Sequence, residues 1–376
     1  MKKGTSQLLK RAEHFKAILT GEGFLVGIIA GLVVLLYRVL LEYAGAGMNL
    51  VLKYSREYPA VAGIWFLVLA GLACVVGRMV RYEPMISGSG IPQLEGEMAG
   101  KLDQVWWRVI PAKFLGGFLS LFAGLSLGRE GPSIQIGAMA GKAVSKVLDR
   151  GKTEEKYLLT CGASAGLAAA FHAPLAGVMF SLEEIHKNFS VSVLVSVMTA
   201  SITADYISSR FLGFDAVFQF DIGAEIQPEF YWHIVILGAI LGVLGAFYNK
   251  MTLWVQGLYY KAKRLNETTR LLIPFLLAGV LGLVMPEVLG SGHHLIDMAA
   301  QERLALTSIL ALLAVKFLFS LISFGSGAPG GIFFPLLVLG ALIGSAYSTF
   351  AVQYMGLDAS YSSNFVLLAL AGYFTA

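Results

Sequence analysis

The feature that most constrains the fold is an uncharged stretch, Phe317–Leu357, which is too long for one straight membrane span and is broken near its start. A straight span needs about 20 apolar residues. The break, Gly325–Gly331, has three glycines and a proline within five residues, which disfavours a helix. Irregular backbone at membrane depth is tolerated only where protein buries it or it lines a cavity. The stretch therefore predicts two helices around a break of the kind that forms transporter binding sites.

The rest of the chain has the same character. Of 376 residues, 56% are hydrophobic and 14% are charged, whereas a soluble domain carries about 25% charged residues. The net charge of +4 is too small to indicate a nucleic-acid partner. The other uncharged runs are Phe24–Tyr37, Pro59–Gly77, Phe114–Gly128, Tyr157–Leu182, Asn188–Ala204, Phe230–Asn249, Leu271–Pro286 and Ala359–Ala376. We predict an all-α polytopic protein of the cell membrane. Basic residues before the first uncharged run favour a cytoplasmic N-terminus.

Three landmarks recur in the same order in the two halves of the chain. They are Gly88–Gly90, Lys113–Leu115 and Gly128–Pro132, then Gly290–Gly292, Lys316–Leu318 and Gly327–Gly331. The first two are 25 residues apart in one half and 26 in the other, and the next spacing is 15 against 11. Fused repeats of this kind are usually related by a pseudo-two-fold axis, with substrate near the midplane.

The repeat also predicts the domain organisation. We expect a cytoplasmic N-terminal segment 1–22, a first membrane repeat 23–212, a linker 213–229 and a second repeat 230–376. The first half continues past its break to Pro174–Glu184, and the second half has no counterpart of that segment. We therefore expect the chain to be a piece of a longer protein or an unusually short relative.

Two adjacent charges at membrane depth indicate a functional site. Arg129 and Glu130 lie in the break Gly128–Pro132, and Pro132 marks the first turn of a helix. A helix N-terminus attracts anions, so the Glu130 carboxylate would compete there with a soluble anion until it is protonated. The alternative is an Arg129–Glu130 pair that only anchors a loop.

Two glycine-rich segments could supply anion ligands. Ser89, Gly90 and Ile91 offer a hydroxyl and backbone amides ahead of Pro92, and this arrangement suits a small anion. The segment Gly330–Pro335 would present amides beside apolar side chains, and the alternative is a plain helix break. Taken alone, Gly-Ser-Gly is usually a turn, and it recurs at Gly325–Gly327.

Other ionisable residues allow two interpretations each. Glu183 and Glu184 end an apolar run and would either relay protons inward or simply lie at the aqueous edge. Lys113 and Lys316 would either add positive potential or extend their ammonium groups to the interface. His186 beside the two glutamates leaves an intramembrane enzyme as a remote alternative, and a scaffold without transport is another.

The sequence shows no metal-binding, Walker or Cys-x-x-Cys motif, so we expect no metal, no cofactor and no enzymatic activity. Cys74 and Cys161 lie in apolar runs and are expected to be free thiols. Two Gly-x-Ser-x-Gly patterns, Gly124–Gly128 and Gly162–Gly166, are expected in helices as small-residue packing rather than as nucleophile turns.

These motifs resemble those of the CLC family of chloride channels and chloride/proton antiporters. Gly88–Pro92 is similar to the family's GSGIP, Gly128–Pro132 to its GREGP and Gly331–Pro335 to its GxFxP. His172–Gly177 and Glu183–Glu184 resemble the stretch at the family's internal glutamate. The resemblance implies an inverted repeat with broken and re-entrant helices, and a homodimer in which each subunit has its own pathway.

The resemblance also implies residue roles. Ser89 would coordinate the central anion, and Glu130 would be the external gate. Backbone amides of Ile332 and Phe333 would complete the site. Glu184 would be the internal proton-transfer residue, with Glu183 beside it.

Two of these residues indicate the type of transport. Family channels usually lack the internal carboxylate, so Glu184 favours an antiporter that exchanges chloride for protons over a passive chloride channel. Ser89 favours chloride or a similar small anion, because fluoride-selective members typically replace the serine and nitrate-preferring relatives often have proline there. The family's site also uses a tyrosine from a helix later than the last one in this chain.

Overall fold

A computed structural model describes residues 2–214, 224–262, 266–301 and 304–375, and in these ranges the backbone is helical with one isolated β-bridge. The α-helices in the described ranges are α1 (Lys2–Glu57), α2 (Pro59–Tyr82), α3 (Ile91–Met98), α4 (Trp106–Phe122), α5 (Glu130–Val147), α6 (Lys152–Phe171), α7 (Pro174–Phe180), α8 (Val191–Leu212), α9 (Tyr231–Lys261), α10 (Glu267–Val284), α11 (His293–Gln301), α12 (Leu306–Gly325), α13 (Phe333–Tyr354) and α14 (Ser362–Thr375). The all-α prediction is confirmed.

Seven helices among the described residues are long and apolar enough to cross a membrane, judged by length and composition. These candidate spans are Glu13–Glu57 in α1, Pro228–Lys261 around α9, and the whole of α2, α8, α10, α12 and α13. The prediction of a polytopic membrane protein is therefore confirmed.

The predicted breaks are present. α12 ends at Gly325 and α13 begins at Phe333, so the long uncharged stretch does form two helices. α5 begins at Glu130, and α3 begins at Ile91 with Pro92 in its first turn. Proline suits this position because the amide that it lacks would have had no partner inside the helix.

The uncharged run Tyr157–Leu182 contains more than one helix. α6 ends at Phe171, and His172 adopts a left-handed conformation with φ 55°. Pro174 then starts α7, because proline cannot continue the hydrogen-bond ladder of the preceding helix and disfavours helical geometry in the residue before it. A π-helical turn, Ser181–His186, follows α7.

Other helix positions also differ from the predictions. Gly124–Gly128 is not helical: α4 ends at Phe122, and Gly124 has φ 88°, a conformation that suits glycine. The copy at Gly162–Gly166 does lie inside a helix, α6, as predicted. At the end of the chain, α14 occupies 14 residues of the predicted run from Ala359.

The described chain forms two compact units, each assembled from separate segments. The first comprises Met1–Glu42, Glu83–Leu115 and Arg129–Val217. The second comprises Tyr43–Tyr82, Gly116–Gly128 and Phe218–Ala376. Residues 215–223 of the predicted linker lie outside the described residues, and the boundaries of the two sequence repeats stay a prediction.

In each unit, closely packed helices meet at glycines, and one pair in each matters for the site. In the first unit α5 packs on α6, where a Cβ added to Gly141 would lie 2.0 Å from the Leu158 carbonyl oxygen. In the second unit α13 packs on α14, where a Cβ on Gly340 would lie 2.7 Å from the Ala369 carbonyl oxygen. Small residues allow this approach, which is how membrane helices gain packing contact. The closely packed α5 and α13 carry the sites described next at their N-termini.

Candidate functional site

The Ser89 turn lies in the first unit. A 3₁₀ turn, Pro84–Ile86, leads into it, and Gly88 and Gly90 have φ of 64° and 93°. The Ser89 hydroxyl oxygen accepts a hydrogen bond from the Ile91 amide at 3.3 Å. Since a hydroxyl carries one proton besides its lone pairs, Ser89 keeps a donor for a ligand.

A buried lysine holds this turn in place. Lys113 is completely buried on α4, and its Nζ donates to the carbonyl oxygens of Ile86 at 2.9 Å and Gly88 at 2.6 Å. The interpretation that Lys113 extends its ammonium group to the interface is therefore wrong. The side chain is held inside by two carbonyl oxygens that would otherwise lack a donor.

A glutamine that the sequence reasoning missed fixes the other side of the turn. Gln135 of α5 is completely buried, and its Nε2 donates to the Met85 carbonyl oxygen at 2.8 Å and to Gln104 Oε1 at 2.7 Å. A Cβ on Gly90 would lie 2.2 Å from Gln135 Oε1, so only glycine fits there. The available signal was an amide side chain within the apolar run that follows Glu130.

Glu130 is the first residue of α5, and 1% of its surface is exposed. Its Oε1 lies 4.0 Å from Arg129 Nε. The next residue, Gly131, packs directly on the serine turn, because a Cβ there would lie 2.7 Å from the Ser89 carbonyl oxygen. Four predicted site residues thus come together in the first unit: Ser89, Gly90, Ile91 and Glu130.

Ile332 and Phe333 belong to the second unit. Gly331, just before them, exchanges two backbone hydrogen bonds with Gly128, at 2.7 and 2.8 Å. This short antiparallel bridge fixes the backbone that leads into α13, which begins at Phe333. The amides there lie at the positive end of the α13 dipole, a position that favours an anion.

The second unit repeats the backbone geometry of the serine turn. Lys316 is completely buried, and its Nζ donates to the carbonyl oxygens of Val288 and Gly290, each at 2.9 Å. Gly290 and Gly292 have φ of 60° and 87°, close to the values in the first turn. The predicted structural repeat of these landmarks is confirmed, and Lys316 also does not reach the interface.

Glu183 and Glu184 lie in the π-helical turn after α7, and both are exposed. The turn contacts α3, and at its end Lys187 Nζ lies 3.7 Å from Glu95 Oε1. α3 begins at the Ser89 turn. The π-helical turn that carries the two glutamates therefore contacts the helix that starts at the site. Their exposure agrees with the predicted aqueous edge.

The described residues contain no group of three or more histidine, cysteine, aspartate or glutamate side chains that would hold a metal. His186 is instead hydrogen-bonded through Nδ1 to the Thr160 hydroxyl at 3.0 Å. Cys74 and Cys161 are free thiols, as predicted.

Comparison with known proteins gives consistent matches. The family described as voltage gated chloride channel matches residues 71–376. The H(+)/Cl(-) exchange transporter ClcA of Vibrio vulnificus is 35% identical over 337 residues, 87% of this chain and 72% of the relative. A solved structure of a slow cyanobacterial Cl-/H+ antiporter superimposes with a TM-score of 0.85 at 26% identity, covering 95% of this chain and 89% of the other.

A CLC-type fluoride/proton antiporter has the same fold, with a TM-score of 0.78 at 20% identity over 95% of this chain and 86% of the other. The matched motifs, the helix order and the family match agree. The chain therefore belongs to the voltage-gated chloride channel family, the CLC family.

Proposed function

We propose that this protein is a secondary transporter that exchanges chloride for protons across the membrane. The observation that carries the proposal is the buried Glu130 carboxyl group at the N-terminus of α5, packed through Gly131 against the Ser89 turn. This places a titratable group beside a hydroxyl donor and the positive end of a helix. The ClcA relative and the cyanobacterial antiporter are proton-coupled chloride exchangers by name.

The chemistry follows from competition for one positive environment. When Glu130 is ionised, its carboxylate is stabilised by the helix dipole and takes the place of a soluble anion. When a proton binds to the carboxylate, that attraction is lost and chloride is bound by the Ser89 hydroxyl and nearby amides instead. One proton on one carboxyl group thereby controls one anion site. The ligand roles of Ile332 and Phe333 stay a prediction from the motif.

The remaining assignments are also proposals. Glu184, with Glu183 beside it, would pass protons from the cytoplasmic solution toward Glu130, and its exposure supports access to water. We place the protein in the cell membrane as a homodimer with a cytoplasmic N-terminus. Chloride and protons would be its substrates, and no cofactor would be needed.

The test is a flux assay on protein reconstituted into liposomes. An inward chloride gradient should drive protons out of the liposomes against their own gradient, recorded with a pH-sensitive dye. Chloride flux without proton movement would instead indicate a passive channel.

Glu130→Gln should abolish proton coupling, because the amide cannot bind and release a proton, while chloride still passes. Glu57→Gln, a change at an exposed position at the end of α1, is the matched control and should leave coupling intact. Proton-coupled exchange that survives in Glu130→Gln would remove Glu130 from the mechanism.

A further inference from the structure

Tyr37 carries an unexplained polar group in the interior of the first unit. It lies on α1, none of its surface is exposed, and its hydroxyl has no hydrogen-bond partner among the described residues. Buried hydroxyls are nearly always paired with protein or with ordered water. An unpaired one carries a desolvation cost that phenylalanine at the same position would not have.

The surroundings of Tyr37 connect it to the site. Its ring lies 5.1 Å from that of Phe114, centroid to centroid. Phe114 directly follows Lys113, the residue that holds the carbonyl oxygen of Gly88 beside Ser89. In addition, the Glu130 carboxylate and the Arg129 guanidinium both act electrostatically on the Tyr37 phenol. The phenol is therefore within the field of the proposed gate.

Charge decides what kind of partner suits this hydroxyl. A phenol donates its strongest hydrogen bonds to ionised acceptors, and such bonds are roughly twice as strong as neutral ones. The site beside the first turn of α5 is where the proposed exchange alternates a carboxylate with chloride. Both are anionic acceptors, and both would be present in only part of the cycle.

We propose that Tyr37 donates a hydrogen bond to the anionic group that occupies the site beside the first turn of α5. The inference rests on the proposed exchange function, which supplies the alternating anion. The acceptor is either the Glu130 carboxylate or the transported chloride, and the shared chemistry is a desolvated anion that needs a donor. Tyr37 would then be an additional ligand, contributed by a helix that carries none of the matched motifs.

The variant Tyr37→Phe tests this with little risk to the fold, because it removes a single hydroxyl that is unpaired in the part of the chain that the structure describes. If chloride is the acceptor, we expect the thermal midpoint of this variant in chloride-free buffer to equal or exceed that of the wild type. If the Glu130 carboxylate is the acceptor, we expect the midpoint to be lower. The matched control is Tyr373→Phe, whose hydroxyl donates to the Leu244 carbonyl oxygen at 3.3 Å. That change should lower the midpoint and leave chloride binding unchanged.

Chloride titrations by calorimetry then identify the acceptor. If it is chloride, Tyr37→Phe weakens chloride binding about tenfold, also in the Glu130→Gln background. If it is the carboxylate, chloride affinity in that background is unchanged and the pH of half-maximal exchange rises, because the ionised carboxylate has lost a donor. Unchanged chloride affinity and an unchanged pH profile would overturn the inference and leave a buried water as the partner.

Failure of the inference can be separated from failure of the proposed function. Wild-type liposomes without proton-coupled flux would refute the exchange function whatever Tyr37 does. If Tyr37→Phe weakens chloride binding but the wild-type protein shows only passive chloride flux, Tyr37 is still a chloride ligand and the exchange function is refuted. Coupled wild-type flux with an unaffected Tyr37→Phe would reject the ligand alone.

Discussion

Two buried lysines show how a single residue can hold a turn that lacks regular hydrogen bonds. Lys113 and Lys316 are each completely buried, and each donates to two carbonyl oxygens in the segment that precedes a glycine turn. The sequence showed both lysines as charges in apolar stretches. Their hydrogen-bond acceptors could not be predicted, because these lie 25 to 28 residues away and are brought close by packing. The same pair of lysine hydrogen bonds supports the turn that carries Ser89 and the turn that carries Ser291. The lysine therefore supports the backbone geometry, and the residues around each serine determine its function.

Comparing Lys113→Met with Lys316→Met separates these roles. Each variant removes the lysine donor from one buried and one partly buried carbonyl oxygen, at a cost of about 1–3 kcal/mol for the buried one. Both should therefore unfold at a lower temperature. Lys113→Met alone should also weaken chloride binding by about tenfold or more, because the Ser89 turn loses its support. Calorimetric chloride titrations measure this, and equal affinities in the two variants would show that Lys113 does not position the anion ligand.

At the scale of helices, the sequence predicted the positions of breaks but not the tertiary contacts around them. Glycine and proline clusters gave the starts of α3, α5 and α13, because these residues act locally on the backbone. The contacts at the end of α6 could not be predicted, because they are tertiary: Arg38 of α1 donates to the Ala169 carbonyl oxygen at 2.6 Å and lies 3.0 Å from His172 Nε2. The role of Gln135 was missed for the same reason, since its partners lie 31 and 50 residues away.

The α5–α6 contact yields an element-scale prediction. Gly141→Ala would place a methyl group 2.0 Å from the Leu158 carbonyl oxygen, so the helices must separate. We expect a loss of about 1–3 kcal/mol, typical of overpacking, and a lower thermal midpoint. Gly344→Ala, with its nearest atoms at 2.7 Å, should have a smaller effect of the same sign.

The matched control for both is Gly238→Ala in α9, where a Cβ meets nothing within 4 Å. It should raise stability by about 0.5–1 kcal/mol, because alanine favours a helix interior over glycine. Equal midpoints for Gly141→Ala and Gly238→Ala would show that close packing of α5 on α6 does not limit stability.

At the scale of the whole molecule, the two halves share backbone landmarks but not charge. In the first unit Lys142 is buried and bonded to Glu97, to Asp103 at 2.6 Å and to the Gln104 carbonyl oxygen at 2.6 Å. Gly141 of α5 and Gly344 of α13 are 203 residues apart, and the same offset relates Lys142 to Ser345. There the second unit has a cavity of about 610 Å³ that Ser345 lines. The two halves therefore share backbone landmarks, although one half has an ionic cluster where the other has a cavity lined by hydroxyl groups.

This asymmetry predicts a pH dependence that originates in one half. Asp103 lies between α3 and α4, and the hydrogen bond from Lys142 lowers the pKa of its carboxyl group below the usual value. A lowered folded pKa means that the stabilisation is complete above the unfolded pKa of about 3.9 and is lost as the pH falls through the folded pKa. Because 75% of the Asp103 side chain is exposed, we expect no more than about 1 kcal/mol from this pair.

The measurement compares thermal midpoints of Asp103→Asn and wild type from pH 7 down to pH 2.5. The variant should be less stable at pH 7, and the difference should shrink toward the acid end as the wild-type carboxyl group becomes protonated. High salt should shrink the difference at pH 7, because exposed charges are screened. If the difference in thermal midpoint stays constant across the pH range, the effect comes from a lost backbone or packing contact. The charge of Asp103 would then contribute nothing to the stability of the first unit.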